Sequence, residues 1–426
     1  MDRKTFLRLS VVFAAVYFFS TNGLAALPNL SISFLLKEKI KLSAAQMAYF
    51  QAVTILAWVV KPIWGHISDS YPIFGYRRKS YLIITSLMAG GVWIWLGMIH
   101  EYNVAVLLTL ITISYMAYAF QDVVTDGLMV ETGKPFNLTG KFQSIQWSAV
   151  YIAMILTALV GGYISDQTRS GKMSYQLLFM IVALFPFLTA LMGWGCVSEP
   201  KVSLTEERTS LKEVFFHKDL LLLASFLFFW KFSPSFNAPF FYYAVDTLKF
   251  TGSFLGILQA IAAGAGLIGA LLFGKYFAEF PIRKLLVFSV FSGVLMTLTD
   301  YAFFVPYFVA HPEILQWYAA VRSVPFGIVE TIIFLTMLNL AAKVSPIYAG
   351  GAVFAFLMSA SNLGLMGSSV LGGALFSVIG LKPLVFISAL FTLLAVLFLP
   401  YLSIDEPLTS TEKWVKKMAS SFQRPN

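Results

Sequence analysis

VAVLLTLITISYMAYAFQDVVTDGLMVE, residues 104–131, runs apolar from Val104 to Phe120 and then places Asp122 and Asp126 four residues apart. A run of this length predicts a helix that crosses a bilayer, because about 20 apolar residues at a rise of 1.5 Å each cover the hydrocarbon core. The spacing of four puts both aspartates on one helix face. Glu131, at the end of the run, faces elsewhere and reads as solvated.

The rest of the chain agrees with this reading. Hydrophobic residues make up 58% of its 426 residues and charged ones 12%, with a mean hydropathy of +0.77. That is too apolar for a soluble globule of this length. The runs are long and continuous, not short and alternating, so an all-α bundle is expected in place of a barrel. Twelve runs can be placed, near 9–30, 46–67, 80–99, 104–130, 142–165, 174–197, 219–244, 252–276, 284–305, 314–341, 348–377 and 383–402. Asn22-Gly23, Pro28, Pro186, Pro234, Pro239 and Pro325 lie inside runs and read as kinks.

Lys and Arg are unevenly divided between the two faces. Arg3, Lys4, Arg8, Arg77, Arg78, Lys79, Lys134, Lys141, Lys201 and Lys343 are among those on the side of the termini, against Lys37, Lys39, Lys41, Arg169, Lys172, Lys249 and Lys382 opposite. The positive-inside bias therefore predicts a multi-pass protein of the cell (inner) membrane with both termini cytoplasmic. The net charge of +9 is a topology signal, and a nucleic-acid partner is not implied. The first run continues past the length of a signal-peptide core and is expected to stay as a helix. With one cysteine, Cys196, there is no internal disulfide.

The chain also echoes itself. Gln51-Ala52-Val53 returns as Gln259-Ala260-Ile261, an offset of 259 − 51 = 208, and Gly161-Gly162 returns as Gly372-Gly373, an offset of 372 − 161 = 211. The longest polar interruption lies between the copies. We expect a six-helix half at 1–197, a cytoplasmic linker at 198–218, a second six-helix half at 219–404 and a cytoplasmic tail at 405–426.

GHISDSYPIFGYRRKSYL, from Gly65, resembles the loop signature between the second and third helices of the major facilitator superfamily. Gly65, Asp69, Gly75, Arg77 and Arg78 fill its positions, with a longer gap between Asp69 and Gly75 than the common form. Four stretches resemble the folate-biopterin transporter family more closely: SDSYPIFGYRR, QDVVTDGLMVE, PSFNAPFFYYAVDTLKFTGSFLGILQ and AFLMSASNLG. KVSPIYAGGA departs from that family, with Gly350 where an acid is expected, as does Lys231 where a neutral polar residue is expected. A neighbouring resemblance is to the muropeptide permeases. The resemblance implies a twelve-helix major facilitator fold with two halves around a central cavity. It further implies secondary active transport by alternating access, an anionic folate or pteridine as the small-molecule cargo, and protons as the coupling ion. Another organic solute, or a receptor with a transporter fold, is the alternative.

Intramembrane charges are the candidate site residues, since such groups face a bundle interior or a cavity. Asp122, Asp126 and Glu330 are candidates for proton coupling; a static ion pair is the other reading of the two aspartates. Lys231 and Arg322 fall near mid-membrane, where they could hold a carboxylate or pair with Asp122. Phe241 and Tyr242 could stack a flat heteroaromatic ring. Gly65, Asp69, Gly75, Arg77 and Arg78 are expected to gate. No cofactor is implied, and His66, His100, His217 and His311 are too scattered for catalysis or for a metal site.

Overall fold

The computed structural model describes residues 1–21, 23–136, 138–201, 218–277, 280–344 and 350–402. The expectations for Asn22, for most of the linker, for the Lys343 side chain, for Pro346 and for the tail lie outside these residues. Within them, eleven helical stretches are long and apolar enough to cross a membrane, from Arg3–Lys39 to Leu381–Tyr401. Each corresponds to an expected run, so ordinal numbers one to twelve are kept for the spans, with the seventh in the remaining place. The face where the first helix begins is called proximal and the opposite face distal.

The seventh span differs from the single helix expected. It is two short helices, Lys218–Lys231 and Asn237–Asp246. Pro234 lies in the gap; it lacks an N–H and disfavours helical geometry at Ser233. Neighbouring spans satisfy the freed backbone. Ser235 N–H donates to the Ser368 carbonyl at 3.0 Å, the Ser368 hydroxyl donates to the Ser233 carbonyl, and Ser233 Oγ donates to the Ser388 carbonyl at 2.8 Å. Span one is interrupted in the same way between Arg3–Phe19 and Asn29–Phe34. Pro186 and Pro325, by contrast, sit inside unbroken helices.

Hydrophobic clusters form on either side of the linker. Spans one to six pack around Trp93, Leu96, Leu107 and Phe179, and around Phe13, Leu82 and Phe142. The later spans pack around Phe226, Leu227, Leu286 and Leu357. Span five packs along span eight and span two along span eleven, which makes the seam between the two sets.

The echoed glycine pairs mark the crossing points. A Cβ on Gly162 would lie 2.9 Å from Gly256 Cα of span eight, and one on Gly373 would lie 3.1 Å from the Ala45 carbonyl oxygen of span two. The preceding glycine of each pair faces the broken helix of its own set: Gly161 meets the Leu27 carbonyl and Gly372 the Ser235 carbonyl. Those two carbonyls are 235 − 27 = 208 positions apart, the offset of the Gln51 echo. Only residues without a side chain permit these approaches.

The distal face is fastened across the seam. Asp166 of span five accepts from Gly252 N–H at 2.8 Å, Ser253 N–H at 2.7 Å and Ser253 Oγ at 2.6 Å, and so caps span eight from another helix. Lys37 pairs with Asp246 at 2.5 Å, and the Tyr242 hydroxyl donates to the Leu42 carbonyl.

Candidate functional site

Four charged or polar side chains from three helices meet inside spans one to six. Span four is Val104–Gly133, which at 1.5 Å per residue puts Asp122 roughly 16 Å from its proximal end. The Tyr17 hydroxyl of span one lies 2.8 Å from Asp122 Oδ1 and 2.8 Å from Asp126 Oδ1. Asp122 Oδ2 accepts from the Lys61 ammonium of span two. That ammonium also sits 4.7 Å from the centre of the Trp58 ring. Asp122 and Tyr17 are buried, while Asp126 is half-buried.

Hydrogen-bond counting gives this cluster its chemistry. A tyrosine hydroxyl has one hydrogen to donate, and an ionised carboxylate only accepts. Two carboxylate oxygens at hydrogen-bond distance from one hydroxyl are both satisfied when one of the acids carries a proton and donates it to the tyrosine oxygen. With that proton the group of Lys61, Asp122 and Asp126 is electrically neutral; without it, it is an anion.

Tyr17 and Lys61 were not among the sequence candidates. Lys61 carried the signal that singled out Lys231, a lysine within an apolar run, while a tyrosine in an apolar helix carries none. The expected partner of Asp122 is also corrected: its counter-charge is Lys61 of the same helical set, not Lys231 or Arg322.

Arg322 is engaged elsewhere. Its guanidinium pairs with Asp300 of span nine at 2.7 Å, donates through Nε to Thr299 Oγ1 at 2.8 Å and through Nη2 to the Met296 carbonyl at 3.1 Å. Both charges are largely shielded, with side chains 13% and 9% exposed, so the pair joins spans nine and ten and the guanidinium is not free for a substrate carboxylate. Removing one partner of a shielded ion pair leaves the other uncompensated and costs about 3–5 kcal/mol. Arg322→Ala is therefore expected to lower the unfolding temperature in detergent strongly, with ligand affinity of the folded fraction kept within about twofold. A large affinity loss without a stability loss would return Arg322 to the ligand.

Phe241 and Tyr242 belong to the distal closure. Phe241 packs edge-on against Phe34 at 5.2 Å between ring centres, and Tyr242 bonds to Leu42 and lies 5.2 Å from the Lys37 ammonium.

The expected gate residues gather at the proximal face. Arg78 pairs with Asp69 at 2.5 Å and Glu131 at 2.7 Å, and donates to Ser68 Oγ at 2.8 Å. Glu131 is thus an ion-pair partner, not only a solvated acid. Gly127 supplies the room: a Cβ there would lie 2.6 Å from the Arg78 guanidinium carbon. Gly75 holds φ at +84°, which favours glycine. Glu199 accepts from the backbone N–H groups of Arg77 and Lys79, each at 2.8 Å, and so caps span three. Gly65 has only an ordinary neighbour, Val123 at 3.6 Å from a built Cβ. These contacts tie spans two, three and four and the end of span six to one another.

Across the seam, Asn362 of span eleven donates to the Trp58 carbonyl at 3.2 Å, one turn from Lys61. It lies in AFLMSASNLG, a stretch already marked by resemblance.

The sequence profile of the BT1 family matches residues 22–419. The chain belongs to the BT1 family. Among its relatives, a folate-biopterin transporter of Synechocystis is 30% identical over 92% of this chain and 81% of its own length. Folate transporter 1 of Plasmodium falciparum is 24% identical over 83% and 70%. Solved structures share the fold at low identity. The nucleoside transporter NupG aligns over 94% of this chain and 98% of its own with a TM-score of 0.65 and 14% identity. A D-xylose-proton symporter aligns over 95% and 98% with a TM-score of 0.67 and 13% identity. This BT1 protein is a multi-pass membrane transporter of the major facilitator fold, not an enzyme.

Proposed function

We propose that this BT1 protein is a proton-coupled carrier of an anionic folate or pteridine, with the proximal face and both termini cytoplasmic in the cell membrane. The names of its relatives support the cargo class. The observation that carries the coupling is the single Tyr17 hydroxyl held between Asp122 and Asp126 beside Lys61. Lys61 already neutralises Asp122, so the exchangeable proton belongs on Asp126. The six-helix sets at 1–197 and 219–404 act as halves that rock against each other along the seam. The fastened distal face corresponds to a state open toward the cytoplasm, and release of Asp166 and Lys37 opens the other side. Arg78, Asp69 and Glu131 stiffen the proximal end of the first half as it moves.

The test is uptake of labelled folate and labelled biopterin into proteoliposomes with and without a pH gradient. Accumulation above equilibrium on the alkaline side, abolished by a protonophore, is expected. Uptake that ignores the gradient would remove the coupling, and uptake of neither compound would remove the cargo class.

A further inference from the structure

Lys231 and Glu330 are a base and an acid within the spans of the second half, as Lys61 and Asp122 are of the first; of the four, only the two acids stand at echoed positions. Glu330 stands 330 − 122 = 208 positions after Asp122, the same offset that relates Gln259 to Gln51 and Ser235 to Leu27. Lys231 ends the helix Lys218–Lys231 at the break in span seven. Its stem and the Phe228 carbonyl fill the space beside Gly364, where a Cβ would lie 3.1 Å from Lys231 Cβ. On span ten, Phe334 packs edge-on against Trp147 of span five at 5.2 Å between ring centres, and Thr331 meets the Tyr151 hydroxyl at 3.3 Å. Glu330 lies one turn from Phe334, so it shares the stripe that faces the seam. Counting from the proximal ends of their helices, Lys231 and Glu330 are each roughly 20 Å deep.

Lys231 is half-buried and Glu330 exposed, although each lies midway along its span, near enough to feel the other's charge. Tyr151 is the other titratable group near Glu330. Among the described residues, however, no carboxylate oxygen comes within 4.0 Å of the Lys231 ammonium, and neither side chain has a hydrogen-bond partner. The first half's pair is closed in direct contact. The second half's pair stands open, an acceptor and a donor at similar depth without direct contact.

An open acid and amine whose charges cancel do not favour an anion. They suit a neutral edge that offers two donors beside an acceptor. The 2-amino-4-oxo edge of a pteridine has this pattern: the 2-amino group and N3–H can both donate to one carboxylate, and O4 can accept from an ammonium. Folate and biopterin, the cargo named for a relative, share this ring edge and not the carboxylate tail. We infer that Glu330 and Lys231 read the 2-amino-4-oxo edge of the substrate's pteridine ring, Glu330 accepting and Lys231 donating. The inference rests on the reading that the cargo is a pteridine.

The experiment compares binding of pterin and of lumazine, in which oxygen replaces the 2-amino group, to the purified full chain. Wild type is expected to favour pterin by about tenfold or more, since lumazine turns an acceptor toward Glu330. In Glu330→Gln the side-chain amide can donate to that oxygen, and the preference is expected to fall to about twofold or less. Lys231→Met is expected to weaken both ligands by about tenfold while keeping the preference. Thermal unfolding of each variant verifies its fold, and Glu330→Asp, which keeps the acid, is expected to retain the preference. Equal wild-type affinity for pterin and lumazine, or an undiminished preference in Glu330→Gln, would overturn the inference and leave transport standing. Failure of wild type to bind pterin, lumazine or folate would instead remove the cargo class on which it rests.

Discussion

Asp126→Asn protein, reconstituted into vesicles with a pH gradient, is expected to lose all accumulation above equilibrium while still exchanging labelled for unlabelled substrate. The amide copies the protonated acid: it can donate to the Tyr17 oxygen and so preserves the contact at 2.8 Å, but it has no proton to release. No lysine is stranded by the change, because the Lys61 ammonium is bound to Asp122. Folding is therefore expected to survive, and the loss is confined to coupling. Accumulation that persists at the wild-type ratio in correctly inserted protein would move the proton site off Asp126.

The second large effect is on stability. Lys61→Met leaves Asp122 without a counter-charge in a site where its side chain is 8% exposed, and breaking such a pair costs about 3–5 kcal/mol. The unfolding temperature is expected to drop sharply. Lys61→Met combined with Asp122→Asn removes both charges together and should recover most of the loss, since a neutral pair has no uncompensated charge. Chemical denaturation of the two single variants and the double variant measures this coupling. Strictly additive losses would show that the two side chains do not stabilise each other.

The sequence carried the fold well because membrane spans are written in long apolar runs, and each of the eleven full-length spans was visible as one. The seventh was visible as a run but not as a broken helix. Pro234 signalled a kink, yet whether a chain bends or breaks at proline depends on acceptors and donors from elsewhere, here Ser368 and Ser388. Asp122 and Asp126 were legible as a pair because helix geometry fixes residues four apart. Their partners were not, since Tyr17 and Lys61 come from other helices, and sequence spacing does not say which side chains converge. Arg322 shows the same limit: its depth was readable, but its direction toward Asp300 was set by packing of spans nine and ten.

Two kinds of contact meet at the distal end of the seam, where Gly162 and Asp166 both touch Gly252, and they differ in what water can do to them. At the glycine crossings, backbone meets backbone at the van der Waals limit, and any separation leaves an empty gap. At the distal face, Asp166 holds the first amides of span eight, a role that a water molecule can take over with little net loss. The dry contact and the hydratable clasp therefore divide the cost of opening this end between them. Opening the clasp exchanges one set of hydrogen bonds for another, so the two arrangements of the molecule can lie close in free energy, and a modest difference in ligand contacts suffices to tip between them.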